Sequence, residues 1–195
     1  MSKLFFCFGG ALLLEGAPLL GLYWWDVHKA AQAQQRAKDW LNRSAVPRTL
    51  PEAQLPVPYR LPVRRGDALA ELEIPRLRLS VMVFEGDDTG ILKIGAGHIP
   101  GTALSPGKGN IGIAAHRDTF FRPLRAIHPN DVIAWPTPVG DARFAVTSTE
   151  IVRPSDIGVL SRAPGRDLTL VTCYPFSYIG HAPKRFIVYA ERLPD

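Results

Sequence analysis

The chain has 195 residues, of which 46% are apolar and 21% are charged, enough for one globular domain with an additional N-terminal segment. This composition excludes a disordered chain, and a single long apolar run excludes a polytopic transporter. Residues 1–65 hold nine Lys or Arg against four Asp or Glu, whereas residues 66–195 hold fourteen of each. The net charge of +5 therefore lies beside the apolar run. It suits a membrane surface there, and no nucleic-acid footprint remains in the globular part.

The apolar run covers residues 4–25 and ends in a Tyr-Trp-Trp sequence. As a helix it would be about 33 Å long, and the aromatic residues suit a membrane interface. We therefore predict a membrane anchor over residues 1–25, although Glu15 and Pro18 interrupt it. A signal peptide cleaved near Ala31-Gln32-Ala33 is the alternative. Positive charges on both sides leave the orientation open.

The segment that follows the anchor is predicted to be a stalk over residues 26–66. Its first part is rich in helix formers and carries an apolar stripe at helical spacing, made of Ala30, Ala33, Ala37 and Trp40. Five prolines then fall within residues 47–62, which indicates an extended spacer rather than a packed element. We predict a juxtamembrane helix, a Pro-rich linker, and a globular domain over residues 67–195.

The globular part is predicted to be mainly β. Short β-rich runs alternate with Gly, Pro, Asn and Asp. The runs are Leu69–Ile74, Leu77–Phe84, Asn110–Ala115, Asp131–Trp135, Ala142–Val152, Leu168–Cys173 and Arg185–Glu191. Gly90–Ile94 and Phe121–Ile127 are predicted to be short helical turns. Closely spaced strands of this kind favour a closed barrel or a sandwich over a β-α-β fold.

Cys173 is the first candidate for chemistry, because it ends the run that begins at Leu168 and precedes Tyr174. A cysteine at the end of a strand is either a small buried apolar residue or a nucleophile. A nucleophilic thiolate needs a cation nearby, which a His or an Arg on another strand would supply.

His116 is the histidine best placed for this role, because it follows the apolar run that starts at Ile111 and so emerges from the core. His28 belongs to the stalk. His98, in a Gly-rich loop, and His128 and His181, beside turn residues, are predicted to be surface groups. Asp118 would either orient an imidazole or cap the turn that follows His116, and we favour the cap.

Arg185 begins the last predicted strand, in which a period of two places it on one face with Ile187 and Tyr189. Phe186 and Val188 belong to the other face. A guanidinium near a thiolate would stabilise an oxyanion and bind peptide carbonyls. An ordinary salt bridge at the start of a strand is the alternative.

Three stretches together resemble the sortases, a family of cysteine transpeptidases. Thr169-Leu-Val-Thr-Cys173 resembles the family's TLxTC signature, and Ile113-Ala-Ala-His116-Arg-Asp-Thr-Phe-Phe121 resembles the region of its catalytic histidine. Ala182-Pro-Lys-Arg185-Phe-Ile-Val188 resembles the strand that carries its arginine. Gly97-His98-Ile-Pro-Gly-Thr102 and the Gly109-Asn110 turn are also similar to the family's region around the catalytic histidine. Within the family, the sequences of these stretches resemble most the Gram-negative, marine-proteobacterial type.

The resemblance implies an eight-stranded sortase barrel with Cys173 as nucleophile, His116 as acid/base and Arg185 as oxyanion-binding or substrate-positioning residue. It implies cleavage of an LPXTG-like C-terminal sorting signal between Thr and Gly, and transfer of the acyl group from a thioester to an amine. The implied partners are a secreted target protein and an amine acceptor. The implied location is the inner membrane, with the barrel on the periplasmic side, and no cofactor is implied.

Three other classes of protein remain as alternatives. A cysteine peptidase would use the same thiol and imidazole but release a free acid. An L,D-transpeptidase is disfavoured because Thr172, not Gly, precedes the cysteine. A non-catalytic, membrane-tethered binding barrel would not need the thiol. Metal catalysis is disfavoured because no cluster has ligand spacing, although the turn Glu85-Gly-Asp-Asp88 is a weak calcium candidate.

Overall fold

Eight strands close into one barrel. The computed structural model describes residues 2–44, 63–138, 140–161, 167–177 and 180–194, with side chains from Leu20 onward. Around the barrel the order of the strands is β1-β2-β3-β4-β7-β8-β6-β5. The strands are β1 (Ala68–Ile74), β2 (Leu79–Glu85), β3 (Ala96–His98), β4 (Ile111–Ala114), β5 (Val132–Thr137), β6 (Gly140–Val152), β7 (Leu168–Tyr174) and β8 (Lys184–Arg192). The mainly β, closed-barrel prediction is confirmed.

The helices are α1 (Ser2–Ser44) and α2 (Thr89–Ile94), with 3-10 helices at Pro75–Leu77, Arg122–Ala126 and Ile157–Leu160. The side chain of Asp88 caps α2, because one of its oxygens accepts hydrogen bonds from the backbone N–H groups of Gly90 and Ile91. The helical turns predicted at Gly90–Ile94 and Phe121–Ile127 are both present, as α2 and as the 3-10 helix Arg122–Ala126. The predicted strand that begins at Leu77 starts two residues later, because Leu77 belongs to a 3-10 helix.

The barrel interior is filled by apolar side chains from alternate strand positions. In β7, Leu168 and Leu170 point inward and are fully buried, as a period of two requires. The largest members of this core are Trp135, Phe121, Phe144, Leu72, Ile74, Ile111, Ile113, Leu124 and Ile133. The strands that carry the candidate residues are therefore fixed by a continuous packed core.

The C-terminal part of α1 packs on the outside of the barrel. Ala37 and Leu41 form a small second core with the outward-facing Met82 and Phe84 of β2. The side-chain amide of Gln34 bonds to the backbone of α2 and β2. Its Nε2 donates to the Ile94 carbonyl at 2.6 Å, and its Oε1 accepts from the Met82 N–H at 2.7 Å. Such paired hydrogen bonds fix the helix in register against β2 and α2.

An ion pair reinforces this attachment. Lys38 Nζ lies 2.6 Å from Glu71 Oε1, and the Ser80 hydroxyl donates to the same oxygen. The hydrogen bond to Glu71 raises the pKa of Lys38 above its ordinary value. Ala37 belongs to the predicted apolar stripe, so the stripe includes part of the surface with which α1 contacts the barrel.

A second ion pair lies where β1 and β5 close the barrel. The guanidinium of Arg76 donates through Nε and Nη2 to the two carboxylate oxygens of Asp131, which also accepts from the His128 N–H at 2.8 Å. The Asp131 side chain is nearly buried. The hydrogen bond from Arg76 holds the pKa of Asp131 below its ordinary value of 3.8.

In the portion of the chain that the structure describes, no helix combines the length and the apolar character that a membrane crossing requires. The anchor predicted over residues 1–25 falls mainly on residues before Leu20, whose side chains are not described. Residues 45–62, which contain most of the predicted Pro-rich linker, lie outside the described residues. The division into anchor, stalk and domain stays a prediction.

Candidate active site

Cys173 lies on the outer face of β7. Its neighbour Thr172 points inward, where its buried hydroxyl donates to the Ala115 carbonyl at 2.7 Å. Because successive side chains of a strand alternate, the thiol of Cys173 projects outward. It is partly exposed and is not in a disulfide. The cysteine is therefore neither a core residue nor a structural cross-link.

Arg185 lies directly beside Cys173, because the antiparallel register of β7 and β8 pairs these two residues. Residues directly opposite each other in a sheet project from the same face. Phe186 and Val188 contact the barrel core, whereas Ile187 packs in a separate cluster outside it. The predicted alternation of β8 is therefore confirmed, and the guanidinium and the thiol share the outer face.

The hydrogen bonds of Arg185 leave part of its guanidinium available to a ligand. Its Nη1 donates to the carbonyls of Ala182 at 3.3 Å and Lys184 at 3.0 Å. Within the described residues Arg185 forms no salt bridge, so the alternative of a strand-start ion pair does not hold there. The N–H groups on Nε and Nη2 bond to no described residue and form the planar fork that binds carbonyl and oxyanion oxygens.

His116 reaches the same place from the other side of β7. Strand β4 runs parallel to β7, and the last registered pair is Ala114 with Val171. Continuing this register by two residues brings His116 level with Cys173. The Ala115 N–H donates to the Val171 carbonyl at 3.2 Å, so the chain is fixed up to the residue before His116.

The three predicted residues line one cleft of about 240 Å³. Its wall consists of His116, Arg117, Asp118, Cys173, Gly180, His181, Ala182 and Arg185. Within the described structure the thiol and the imidazole are not hydrogen-bonded to each other. Hydrogen bonds between catalytic groups often form fully only when substrate is bound. A thiol, an imidazole and a guanidinium thus face a common space, and these are the groups that acyl transfer through a thioester requires.

Asp118 has neither of its predicted roles. Its side chain is exposed and makes no hydrogen bond to any residue that the structure describes. The turn after His116 is closed by the backbone instead, through the Phe121 N–H and the His116 carbonyl at 3.0 Å. Asp118 lines the cleft as a solvent-facing carboxylate.

The prediction that His98 is a surface group is wrong. His98 lies in β3, which the sequence analysis missed, and is only 2% exposed. Its Nδ1 lies 2.8 Å from Glu85 Oε2, and its Nε2 lies 2.9 Å from the Thr102 hydroxyl. Burial with a hydrogen-bond partner at each ring nitrogen makes His98 a structural residue. His128 and His181 are exposed, as predicted.

The candidate calcium turn is occupied by protein contacts. Glu85 pairs with His98, and both oxygens of Asp88 accept hydrogen bonds from Arg65. These bonds from Arg65 hold the pKa of Asp88 well below its ordinary value. Two of the three carboxylates of the turn therefore have partners within the chain.

Arg117 is a site residue that the sequence analysis passed over. Its side chain is 9% exposed, and its Nη2 donates to the Gly180 carbonyl at 3.0 Å. It thereby connects the segment that carries His116 with the loop between β7 and β8. Its place beside His116 in the sequence was the available signal.

Two larger spaces adjoin the cleft. One, of about 710 Å³, is lined by Arg117, Asp118, Arg122, Arg125, Phe176, Ser177 and Gly180. The other, of about 520 Å³, is a mostly apolar groove between α1 and the barrel, whose walls include Tyr23, Val27, Leu92, His116, Asp118 and Phe120. His116 and Asp118 therefore stand where α1 comes close to the cleft.

Comparison with known proteins shows the family of the chain. The model of the Sortase domain family matches residues 72–193. Sortase D of Bacillus subtilis is 34% identical over 129 residues, which are 66% of this chain and 65% of that protein. Sortase SrtE1 of Streptomyces coelicolor is 32% identical over 179 residues, covering 79% of this chain and 47% of that protein. The chain thus spans about two thirds and about half of the lengths of these two relatives.

Solved structures share the fold. A Sortase D5 transpeptidase of Clostridium perfringens superposes with a TM-score of 0.70 at 22% identity, covering 84% of this chain and 99% of that one. Sortase C of the same organism, solved with the C-terminal cell wall sorting motif, gives a TM-score of 0.62 at 25% identity and covers 86% of this chain and 89% of that one. Since the family model spans most of the barrel, including His116, Cys173 and Arg185, the chain belongs to the sortase family.

Proposed function

We propose that the chain is a membrane-anchored cysteine transpeptidase that cleaves an LPXTG-like sorting signal between Thr and Gly. One observation carries the proposal: the β7–β8 register places Cys173 opposite Arg185, and the β4–β7 register brings His116 to the same cleft. Membership of the sortase family supports the reaction class, and the related sortase C solved with a sorting motif supports the substrate class.

In the proposed reaction the proton of the Cys173 thiol passes to His116, the sulfur attacks the Thr carbonyl carbon, and the fork of Arg185 hydrogen-bonds the resulting oxyanion. His116 gives a proton to the departing Gly nitrogen, and the C–N bond breaks to leave a thioester. An acceptor amine then attacks that carbonyl and gives a proton to His116. A new amide forms as the C–S bond breaks, and the sulfur takes the proton back from His116. The thioester retains the bond energy, so no ATP is needed.

The test is to incubate the chain with an LPXTG-type peptide and measure the intact mass of the protein. We expect a mass increase on Cys173 equal to the acyl fragment, which disappears when an amine is added. Cys173→Ala and His116→Ala abolish turnover while the barrel remains folded. His181→Ala is the matched control, because His181 is an exposed imidazole in the same cleft, and this variant retains turnover.

The products distinguish the alternatives. A free acid that persists at high amine concentration identifies a cysteine peptidase. Unchanged biological function in Cys173→Ala identifies a non-catalytic binding barrel. Either result contradicts the proposed transpeptidase.

We also propose that the N-terminal part of α1 anchors the chain in the inner membrane with the barrel in the periplasm. Tyr23, Trp24 and Trp25, each at least 60% exposed, give α1 the aromatic side chains that are common at a membrane interface. The chain is expected in the alkali-resistant membrane fraction, and the barrel is expected to be digested by protease added to the periplasm. Recovery of the full chain in the soluble fraction contradicts the anchor.

A further inference from the structure

The 710 Å³ cavity beside the catalytic cleft is strongly basic. Three arginines line it, Arg117, Arg122 and Arg125, against one carboxylate, that of Asp118. Arg122 and Arg125 are exposed, and the side chain of neither forms a hydrogen bond or an ion pair with a described residue. Two guanidinium groups thus face solvent with their donors available, in a space that has a net positive charge.

The cavity communicates with the cleft on the His116 side. The two spaces share Arg117, Asp118 and Gly180, and the cavity does not include Cys173 or Arg185 in its wall. The hydrogen bond from Arg117 to the Gly180 carbonyl fixes the boundary between them. A group that reaches the thiol past Arg117 and Asp118 therefore has room for its remainder next to these arginines.

The proposed reaction decides which group that is. His116 exchanges protons with the nitrogen that leaves and with the nitrogen that enters, so the amine component occupies the His116 side in both steps. The substituent of that amine extends away from the thioester. On this side the structure offers the basic cavity and the mostly apolar groove against α1, whose charged wall residues are Asp26, Lys93 and Asp118.

We propose that the basic cavity is the acceptor subsite, and that it selects an amine whose nearby substituent is a carboxylate or a phosphate. Arg122 and Arg125 are the specificity-determining residues, since a guanidinium binds either anion through two parallel hydrogen bonds. Arg117, already bonded to Gly180, positions the wall between cavity and cleft. This inference rests on the proposed transpeptidation and adds to it the chemical class of the acceptor.

The experiment compares matched acceptors that differ in charge. The thioester of the full chain is formed with a sorting-signal peptide and is then resolved with glycylglycine or glycylglycinamide, and with phosphoethanolamine or ethanolamine. The readout is the ratio of transpeptidation rates within each pair, followed by mass spectrometry. We expect the wild type to prefer the anionic member by about tenfold, as for two charge-assisted hydrogen bonds at an exposed site.

Paired variants show whether the cavity causes the preference. The Arg122→Gln/Arg125→Gln protein is expected to lose it, so that each ratio approaches one, while its reaction with the neutral acceptors shows that it is folded. Arg143→Gln/Arg153→Gln, which removes two exposed arginines that do not line the cavity, is expected to keep it. A preference for one anion alone supports the subsite and identifies the anion.

Three results overturn the inference. Ratios near one in the wild type, or ratios unchanged in Arg122→Gln/Arg125→Gln, refute an anion-selective acceptor subsite. Peptides with Glu or Gln after the scissile Gly form the third arm. If Arg122→Gln/Arg125→Gln alters thioester formation only with the Glu peptide and leaves the acceptor preference intact, the cavity binds the part of the sorting signal that follows the scissile bond. Failure of the wild type to form any thioester refutes the proposed function instead.

Discussion

Arg185→Lys separates the geometry of the cationic group from its charge. An arginine has five N–H donors in a planar fork, and in Arg185 those on Nη1 donate to the carbonyls of Ala182 and Lys184. The three donors on Nε and Nη2 are left for the substrate. A lysine keeps the positive charge but presents its three donors from a single nitrogen. It cannot bind the two carbonyls and also offer a parallel pair of hydrogen bonds.

The expected loss follows from that count of donors. If the ammonium bonds to the carbonyls that Nη1 now contacts, the oxyanion loses at least one charge-assisted hydrogen bond. Removal of one such donor slows acyl transfer by about 100-fold, or about 2.7 kcal/mol of transition-state stabilisation. We therefore expect the acylation rate of Arg185→Lys to fall by about two orders of magnitude. The pairing of β7 with β8 is made by the backbone and is retained.

The assay is single-turnover acylation of Cys173, followed by intact mass. Lys184→Gln is the matched control, because it removes a neighbouring exposed charge and leaves the guanidinium in place; its rate is expected within about twofold of the wild type. An Arg185→Lys rate within about fivefold of the wild type would refute the reasoning. So would a Lys184→Gln protein as slow as Arg185→Lys.

Three further substitutions test hydrogen bonds and packing in the barrel. Thr172→Val removes the hydroxyl that fixes the carbonyl before His116, so acylation should slow several-fold with a loss of about 1–3 kcal/mol in the free energy of unfolding. Thr169→Val removes a buried hydrogen bond at the far end of β7 and should lose as much stability but acylate normally. Equal acylation rates for the two variants would contradict this prediction. Asp131→Asn should lower the free energy of unfolding by about 1–3 kcal/mol near neutral pH. Since the folded pKa of Asp131 lies below 3.8, that difference is full above about pH 4 and vanishes as pH falls through the folded pKa; a difference that persists in acid would count against it. Gly97→Ala should lower the free energy of unfolding by about 3 kcal/mol or more, because a Cβ would lie 2.2 Å from the Gly86 carbonyl oxygen. Gly158→Ala, which has open space around the added Cβ, should change it by less than about 0.5 kcal/mol. Thermal denaturation of the two variants measures the difference.

The strands that alternate in polarity over many residues could be predicted from the sequence. In β8, a period of two assigned Arg185 and Ile187 to one face, and the structure agrees. The short strand β3 could not be found this way, because three residues contain no period. His98 was misplaced for the same reason: its partner Glu85 meets it only when β2 and β3 pair in parallel.

The composition of the cleft was predictable in part. Cys173 and His116 each follow or end an apolar strand pattern, and Arg185 begins one. The resemblance of the surrounding stretches to the sortases indicated which of these residues to consider together. What brings them together is the register of β4 on β7 and of β7 on β8, which involves pairs far apart in sequence. The contact of Arg117 with Gly180 depends on the folded path of a loop, for which the sequence has no periodic signal.

Because α1 is one continuous helix, the N-terminal segment holds a fixed length, unlike a flexible linker. Gln34 and Lys38 bond it to the barrel, and Tyr23 lies eleven residues earlier than Gln34, about 16 Å along the helix axis. If the first half of α1 lies in the membrane as proposed, the part of α1 between the membrane and the barrel sets the distance of the Cys173 thiol from the bilayer surface. A sorting signal must then present its scissile bond at that height, so the spacing between signal and membrane segment becomes a criterion of selection.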